Sequence, residues 1–279
     1  MKRLDLTDRC ILVTGASSGL GRAVAFALAV NEGARVVAVA RREPQLQQLC
    51  AEIVQAGGAP AQVLPADLLE EGAAEQVVER ASALAGGELF GLVNNAGVTW
   101  YGRFEQMPVE QIERIIRLNL SVSIRLTSAF VRQVGAVTHH GDGNKADQAG
   151  STAHAAILTI TSLGAFVPVP YQSVYAASKH ALQAFSESIA AELRSRKIVV
   201  TAVAPGGIQT EMIELAGLHH KFSGSSLASA DRVAHAAINA WKRGRLRTVP
   251  GMGNKLAAIA ARLLPSRLIA AASERLFRP

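Results

Sequence analysis

The sequence predicts an α/β fold: a doubly wound parallel sheet of about seven strands with helices on both faces, in a single domain. Three observations carry that expectation. Short runs of Val, Ile, Leu and Ala alternate with longer segments of helical period, and runs apolar on both faces suit strands covered on both sides. The first run ends in a glycine-rich turn, Thr14 to Gly21, that leads straight into a helical segment. The 279 residues, 49% hydrophobic and 18% charged, are enough to enclose one large core.

Taken in order, the apolar runs predict strands at Cys10–Val13, Arg35–Ala40, Ala61–Leu64, Leu89–Val93, Ala156–Thr161 and Val199–Ala204, with a weaker one at Leu246–Val249. Helical period between them predicts helices near Leu20–Asn31, Pro44–Ala56, Ala73–Ala85, Pro108–Val134, Val174–Arg194 and Ala230–Arg243. The stretch Ala136–Ala155, rich in Gly, His, Asp and small residues, reads as a long inserted loop. Glu211–Ala228, with its Gly, Ser and Leu content and His219, His220 and Lys221, reads as a flap over the substrate. The domain is expected to span 1–250, with 251–279 as a C-terminal extension.

Charge narrows the function classes. From Trp241 to the end, nine Lys and Arg face one acid, Glu274, a surplus of eight that leaves residues 1–240 at −1 within a chain of +7. A near-neutral body argues against a nucleic-acid surface, which needs cations spread across the contact face. Two cysteines, Cys10 and Cys50, suggest a reducing compartment. The charged N-terminus lacks a signal-peptide core, and no uncharged apolar stretch is long enough to span a bilayer. A cytoplasmic protein is expected.

The turn Thr14-Gly15-Ala16-Ser17-Ser18-Gly19-Leu20-Gly21 has the makings of a phosphate cradle. Its glycines let backbone N–H groups approach a pyrophosphate, and the helix N-terminus beyond adds a favourable dipole. The second strand ends in Ala40-Arg41-Arg42-Glu43, so two cations arrive before the acid that an NAD ribose would require. Arg41 and Arg42 therefore favour NADP(H), whose 2′-phosphate a guanidinium fork can hold.

From here the chain resembles the short-chain dehydrogenase/reductase family, a Rossmann-type fold, and nearly its whole length carries the resemblance. Beside the Thr-Gly-x-x-x-Gly-x-Gly turn stand Asn94-Asn95-Ala96-Gly97, a helical Asn119, Ser162 closing the fifth strand, Tyr175-x-x-x-Lys179, and Pro205-Gly206-Gly207-Ile208-Gln209-Thr210. The resemblance implies a catalytic set of Asn119, Ser162, Tyr175 and Lys179, with Ser162 and Tyr175 holding the substrate. Lys179 is to touch the nicotinamide ribose, and Asn119 to hold a water joining Lys179 to solvent. Around the cofactor it places Gly15, Ser17, Ser18, Gly19 and Leu20, then Asp67 and Leu68 at the adenine and Asn95, Ala96 and Gly97 at the ribose. Pro205, Gly206, Ile208 and Thr210 complete it near the carboxamide and pyrophosphate. A homo-oligomer built on the long helices is also implied.

The chemistry follows from the residue types. Tyr175 and Lys179 are four apart, so a helix presents both on one face. A free tyrosine, with pKa near 10, is a poor base at neutral pH. The Lys179 ammonium and an oxidised nicotinamide are expected to lower that value. Tyr175 then exchanges a proton with a carbonyl or alcohol oxygen while Ser162 hydrogen-bonds the same atom.

The segment Leu163 to Tyr171 carries no charge, and Trp100 and Tyr101 add aromatic surface, which suits a hydrophobic or lipid-derived ketone. The rival readings are an NAD-linked alcohol dehydrogenase and a non-catalytic nucleotide-binding scaffold. His139-His140-x-Asp142 sits in a Gly-rich stretch without a ligand scaffold, so no metal is expected. Residues 254–277 mix Leu and Ile at helical spacing with Lys and Arg, interrupted at Pro265. Such a tail either lies peripherally on an anionic membrane surface or packs over the pocket or a partner subunit.

Overall fold

The structure, a computed structural model, describes residues 3–140, 153–215, 217 and 227–279. Seven strands form one parallel sheet in the order β3-β2-β1-β4-β5-β6-β7. They are β1 (Cys10–Thr14), β2 (Arg35–Ala40), β3 (Gln62–Pro65), β4 (Leu89–Asn94), β5 (Ala155–Ile160), β6 (Ile198–Val203) and the short β7 (Arg247–Thr248). Strands β1, β4, β5 and β6 are buried along their whole length, so their apolar runs do not alternate.

Helices cover both faces, and two separate cores result. On one side α1 (Gly19–Asn31), α2 (Glu43–Gln55) and α8 (Ala230–Lys242) pack Leu28, Leu46, Leu49, Ile53 and Trp241 against Ile11, Val13 and Leu158. On the other, α3 (Ala73–Leu84), α5 (Val122–His140) and α6 (Ser173–Glu192) pack Val77, Leu126, Phe130 and Ile189 against Leu12, Leu92 and Ile157. Parallel pairing brings every strand's carboxyl end to one edge. The order reverses between β1 and β4, and the crevice beyond such a reversal is where ligands bind in open α/β sheets.

Two expectations need correction. The helix predicted over 108–134 is interrupted: α4 (Val109–Ile116) passes into a π-helical turn, Arg117–Ser121, before α5 begins. The expected loop over 136–155 is narrower at both ends. Helix α5 continues to His140 and β5 already begins at Ala155, while residues 141–152 lie outside the described residues. The 211–228 segment opens with α7 (Glu211–Leu215) and closes with a bridge between Ile208 and Ala228. His219, His220 and Lys221 lie outside the described residues.

The extension forms two helices, α9 (Met252–Leu263) and α10 (Ser266–Phe277), split where Pro265 cannot donate to the helical ladder. They return to the sheet edge. Tyr101 Oη donates to the Phe277 carbonyl at 2.8 Å, and Tyr171 Oη donates to Glu274 Oε1 at 2.8 Å. Among the described residues no helix is long and apolar enough to cross a membrane.

A Cβ at Gly21 would lie 2.2 Å from the Gly15 carbonyl oxygen, so α1 sits against the turn only because this position has no side chain. Gly21→Ala should therefore cost about 1–3 kcal/mol in urea unfolding; unchanged stability would show that the turn has room to relax.

Candidate active site

The carboxyl ends of β1 and β4 are tied together by one hydroxyl. Thr14 Oγ1 donates to the Val93 carbonyl at 3.0 Å and accepts from the N–H groups of Asn95 and Ala96 at 3.1 and 3.2 Å. Asn95 Nδ2 reaches back to the Thr14 carbonyl at 3.0 Å. The Gly-rich turn and the Asn94–Gly97 segment are thereby held edge to edge. Gly15 and Gly19 have φ of +69° and +54°, the left-handed region that admits glycine readily.

Arg42 crosses this crevice. Its guanidinium takes both carboxylate oxygens of Glu211, at 2.7 and 2.8 Å, and donates to Ser17 Oγ at 3.2 Å. Glu211 also hydrogen-bonds Ser18, and these contacts hold its carboxyl below the usual range. Ser18, although it stands at the start of α1, makes no side-chain cap. A fork-shaped cation, two hydroxyls and the N–H groups of the first helical turn thus converge. Ser17, Ser18, Gly19, Leu20 and Arg42 could together hold a phosphate. Arg41 is more exposed and stands 3.8 Å from Asp67. Asp67 Oδ1 accepts the Leu69 N–H at 2.9 Å, while Leu68 is buried.

The second half of the site rises from β5, α6 and the π-helical turn. Ser162 follows β5, its hydroxyl accepting the Gly164 N–H at 3.1 Å and hydrogen-bonding Tyr175. Lys179 is buried, donates to the Ile160 carbonyl at 3.0 Å, and places its Nζ 5.9 Å from the centre of the Tyr175 ring. Gly97 lies over it: a Cβ there would be 3.7 Å from Lys179 Nζ and 3.0 Å from Asn119 Oδ1.

Asn119 is fully buried, and its amide serves as a clamp. Oδ1 accepts the Val98 N–H at 2.8 Å, and Nδ2 donates to the Val98 carbonyl at 2.9 Å and to Ser178 Oγ at 3.1 Å. This side chain is committed to protein partners.

Burial dominates the electrostatics of Tyr175 and Lys179 in the chain itself. Burial pushes the Tyr175 phenol above 10, and the Ser162 hydrogen bond only partly opposes it. The nearby ammonium does not bond the phenol, and burial lowers Lys179 itself from 10.5 to about 8. Desolvation wins here because it acts on both groups and disfavours both charged forms.

Pro205 and Thr210 frame the far wall. The Pro205 carbonyl accepts the Leu163 N–H at 2.7 Å. A Cβ at Gly19 would meet Thr210 Cγ2 at 3.1 Å, so Thr210 faces the start of α1 across the crevice. Gly206 packs on Asn254 of α9. The uncharged segment 163–171 does not stand apart from charge, for Phe166 lies 5.7 and 5.8 Å from the guanidinium carbons of Arg247 and Arg262. Among the described residues no cluster of His, Cys, Asp and Glu could hold a metal. The His139–Asp142 stretch lies outside the side chains described.

Sequence reasoning missed three contributors. Glu211 gave no signal beyond following Thr210. Ser178 was passed over inside Tyr-x-x-x-Lys, and Tyr171 pins α10 with a φ of +65° that no local pattern announces.

The chain is similar to known proteins over most of its length. Residues 9–219 match the family described as short chain dehydrogenase, and the chain belongs to it. It is 33% identical over 239 residues to the 3-oxoacyl-(acyl-carrier-protein) reductase FabG of Escherichia coli, covering 84% of this chain and 89% of that one. It is 34% identical over 212 residues to the probable oxidoreductase EphD of Mycobacterium tuberculosis, 76% of this chain but 33% of EphD, so it spans about a third of that relative's length. A short-chain dehydrogenase from Sphingobium yanoikuyae, solved in complex with NADPH, superposes with a TM-score of 0.76 at 30% identity, covering 91% and 93% of the two chains.

Lys179 offers a test of the burial argument. Between about pH 8 and 10.5 the unfolded chain keeps a proton that the folded lysine releases, so its contribution to stability rises with pH across that window. Subtracting the unfolding free energy of Lys179→Met should leave a difference that rises from pH 8 to 10. A flat difference would contradict the depressed value.

Proposed function

We propose that this protein is an NADP(H)-dependent oxidoreductase that interconverts a ketone and a secondary alcohol on a hydrophobic, lipid-derived substrate. The convergence of Ser162, Tyr175 and Lys179 at the strand edge, beside the Arg42 and Ser17 cluster, carries this reading. The residues present fit the cofactor: the start of α1 beyond the glycine turn offers backbone N–H groups to a pyrophosphate, and the donors that grip the Glu211 carboxylate are those a 2′-phosphate needs. The NADPH bound by the Sphingobium enzyme is consistent with this.

When bound, NADPH supplies the hydride for the carbonyl carbon. Ser162 Oγ donates a hydrogen bond to the carbonyl oxygen and stabilises the charge developing there. Tyr175, whose phenol burial pushes upward, gives its proton to the same oxygen in reduction and takes it back in oxidation. Lys179 orients the cofactor ribose, and Asn119 positions the site by clamping Val98 and Ser178. Asp67, Leu68, Asn95, Ala96 and Gly97 line the adenosine side, and Pro205, Gly206, Ile208 and Thr210 the nicotinamide side.

Residues 1–250 form the catalytic domain, and 251–279 an extension that closes the pocket rim through Tyr101 and Tyr171. The basic, amphipathic extension also makes a peripheral contact with an anionic lipid surface, which suits a lipid-derived substrate. The protein works as a homo-oligomer through its long helices.

Tyr175→Phe should lower turnover on an apolar ketone by about 10²–10⁴-fold while leaving NADPH binding by fluorescence unchanged; retained turnover would remove the tyrosine from the chemistry. Arg42→Ala should weaken NADPH about 10–100-fold, the worth of a hydrogen bond to a charged group, and spare NADH. Glu211→Gln, which frees the fork, should tighten NADPH. Equal losses for both cofactors would return Arg42 to the surface.

A further inference from the structure

Beyond the site described, the described residues enclose a cleft on another part of the chain. This cleft, of about 240 Å³, lies between α8, the turn into β7 and the start of α9, lined by Asn239, Arg243, Arg245, Thr248 and Lys255 among others. Its three charged lining residues are all cations, no carboxylate lines it, and none of the three is in an ion pair among the described residues. Asn239, on its wall, accepts a hydrogen bond from Arg3, bringing a fourth cation to the edge. Three unneutralised cations around a small cleft favour a compact anion such as a phosphate group.

The same element presents an apolar stripe. Met252, Leu256, Ile259 and Leu263 recur at i, i+4, i+7 and i+11 along α9, one face of a helix, and are 52–78% exposed. Leu264, Leu268 and Leu276 continue the exposed surface onto α10. This outward face is imposed by the inward one: Asn254 packs on Gly206, Ala258 is buried, and Tyr101 and Tyr171 hold α10. Lys255 belongs to both features, for it lines the cleft and precedes Leu256.

We propose that the cleft takes the phosphate of an anionic phospholipid headgroup while the stripe enters the acyl boundary of the bilayer. This rests on the peripheral lipid contact proposed above and assigns it a site. Charge decides the occupant against a second copy of this chain. Pairing two such faces would set Arg and Lys against Arg and Lys, and the only acid of the tail, Glu274, already serves Arg278 and Tyr171. A lipid surface supplies phosphate and hydrocarbon side by side.

The test is co-sedimentation of the full chain with phosphatidylcholine vesicles, with and without phosphatidylglycerol. Binding is expected only with phosphatidylglycerol. Arg243→Gln/Arg245→Gln/Lys255→Gln should weaken it about a hundredfold, roughly fivefold per cation, with circular dichroism and NADPH binding unchanged. Arg80→Gln/Arg194→Gln/Lys197→Gln, equal in charge but remote, should weaken it far less, and Leu256→Ser/Leu263→Ser should abolish it. Binding that survives the cleft variant, or falls equally in the remote one, overturns the cleft while sparing the lipid contact. No binding to either vesicle overturns the lipid contact itself, and with it the cleft. Two further results overturn the proposal: inorganic phosphate retained by the cleft without vesicle binding, or a stripe variant that changes only the sedimentation coefficient.

Discussion

The Thr14 hydroxyl joins two strands that are neighbours in the sheet but 79 residues apart in the chain. By donating to Val93 and accepting from Asn95 and Ala96, it sets the glycine turn beside the Asn94–Gly97 segment at the point where strand order reverses. Asn119 extends the same joint. Its amide satisfies both backbone groups of Val98 and reaches Ser178, one position before Lys179. The glycine turn after β1 and the segment carrying Ser178 and Lys179 are therefore two sides of one hydrogen-bonded seam. Each buried partner removed would leave another unsatisfied, which is why the seam is stiff.

Much of this was legible in the sequence. Arg35–Ala40 is a strand at the predicted residues, and the other strands differ by one or two positions, because apolar runs between glycine-rich turns leave few alternatives. Tyr175 and Lys179 share a face since their spacing leaves a helix no other choice. What escaped depends on contacts distant in the chain. The π-helical turn at Arg117–Ser121 surrounds the one residue that must reach Val98, and a helical period carries no trace of that bond. Glu211 meets Arg42 across 169 residues. The burial that Tyr175 and Lys179 share, which pushes the phenol up and the lysine down, also comes from packing that a local spacing does not reveal.

The C-terminal extension shows a second way in which position governs chemistry. Its sequence permits either helical face to turn inward. Contacts to Tyr101, Tyr171, Phe166 and Gly206 select one, leaving Met252, Leu256, Ile259 and Leu263 outside. The anchoring of Tyr101 and Tyr171 and the surface that the protein presents are thus properties of the same two helices.

The account turns on hydride and proton meeting at one carbonyl beside Ser162 and Tyr175. The most direct measurement supplies NADPH deuterated at the transferable position, together with a panel of apolar and polyhydroxylated ketones, and follows the label by mass spectrometry. The account predicts deuterium at the carbinol carbon of alcohols formed from the apolar ketones. Cofactor that binds tightly yet passes no label to any ketone would contradict it and make the protein a nucleotide-binding scaffold.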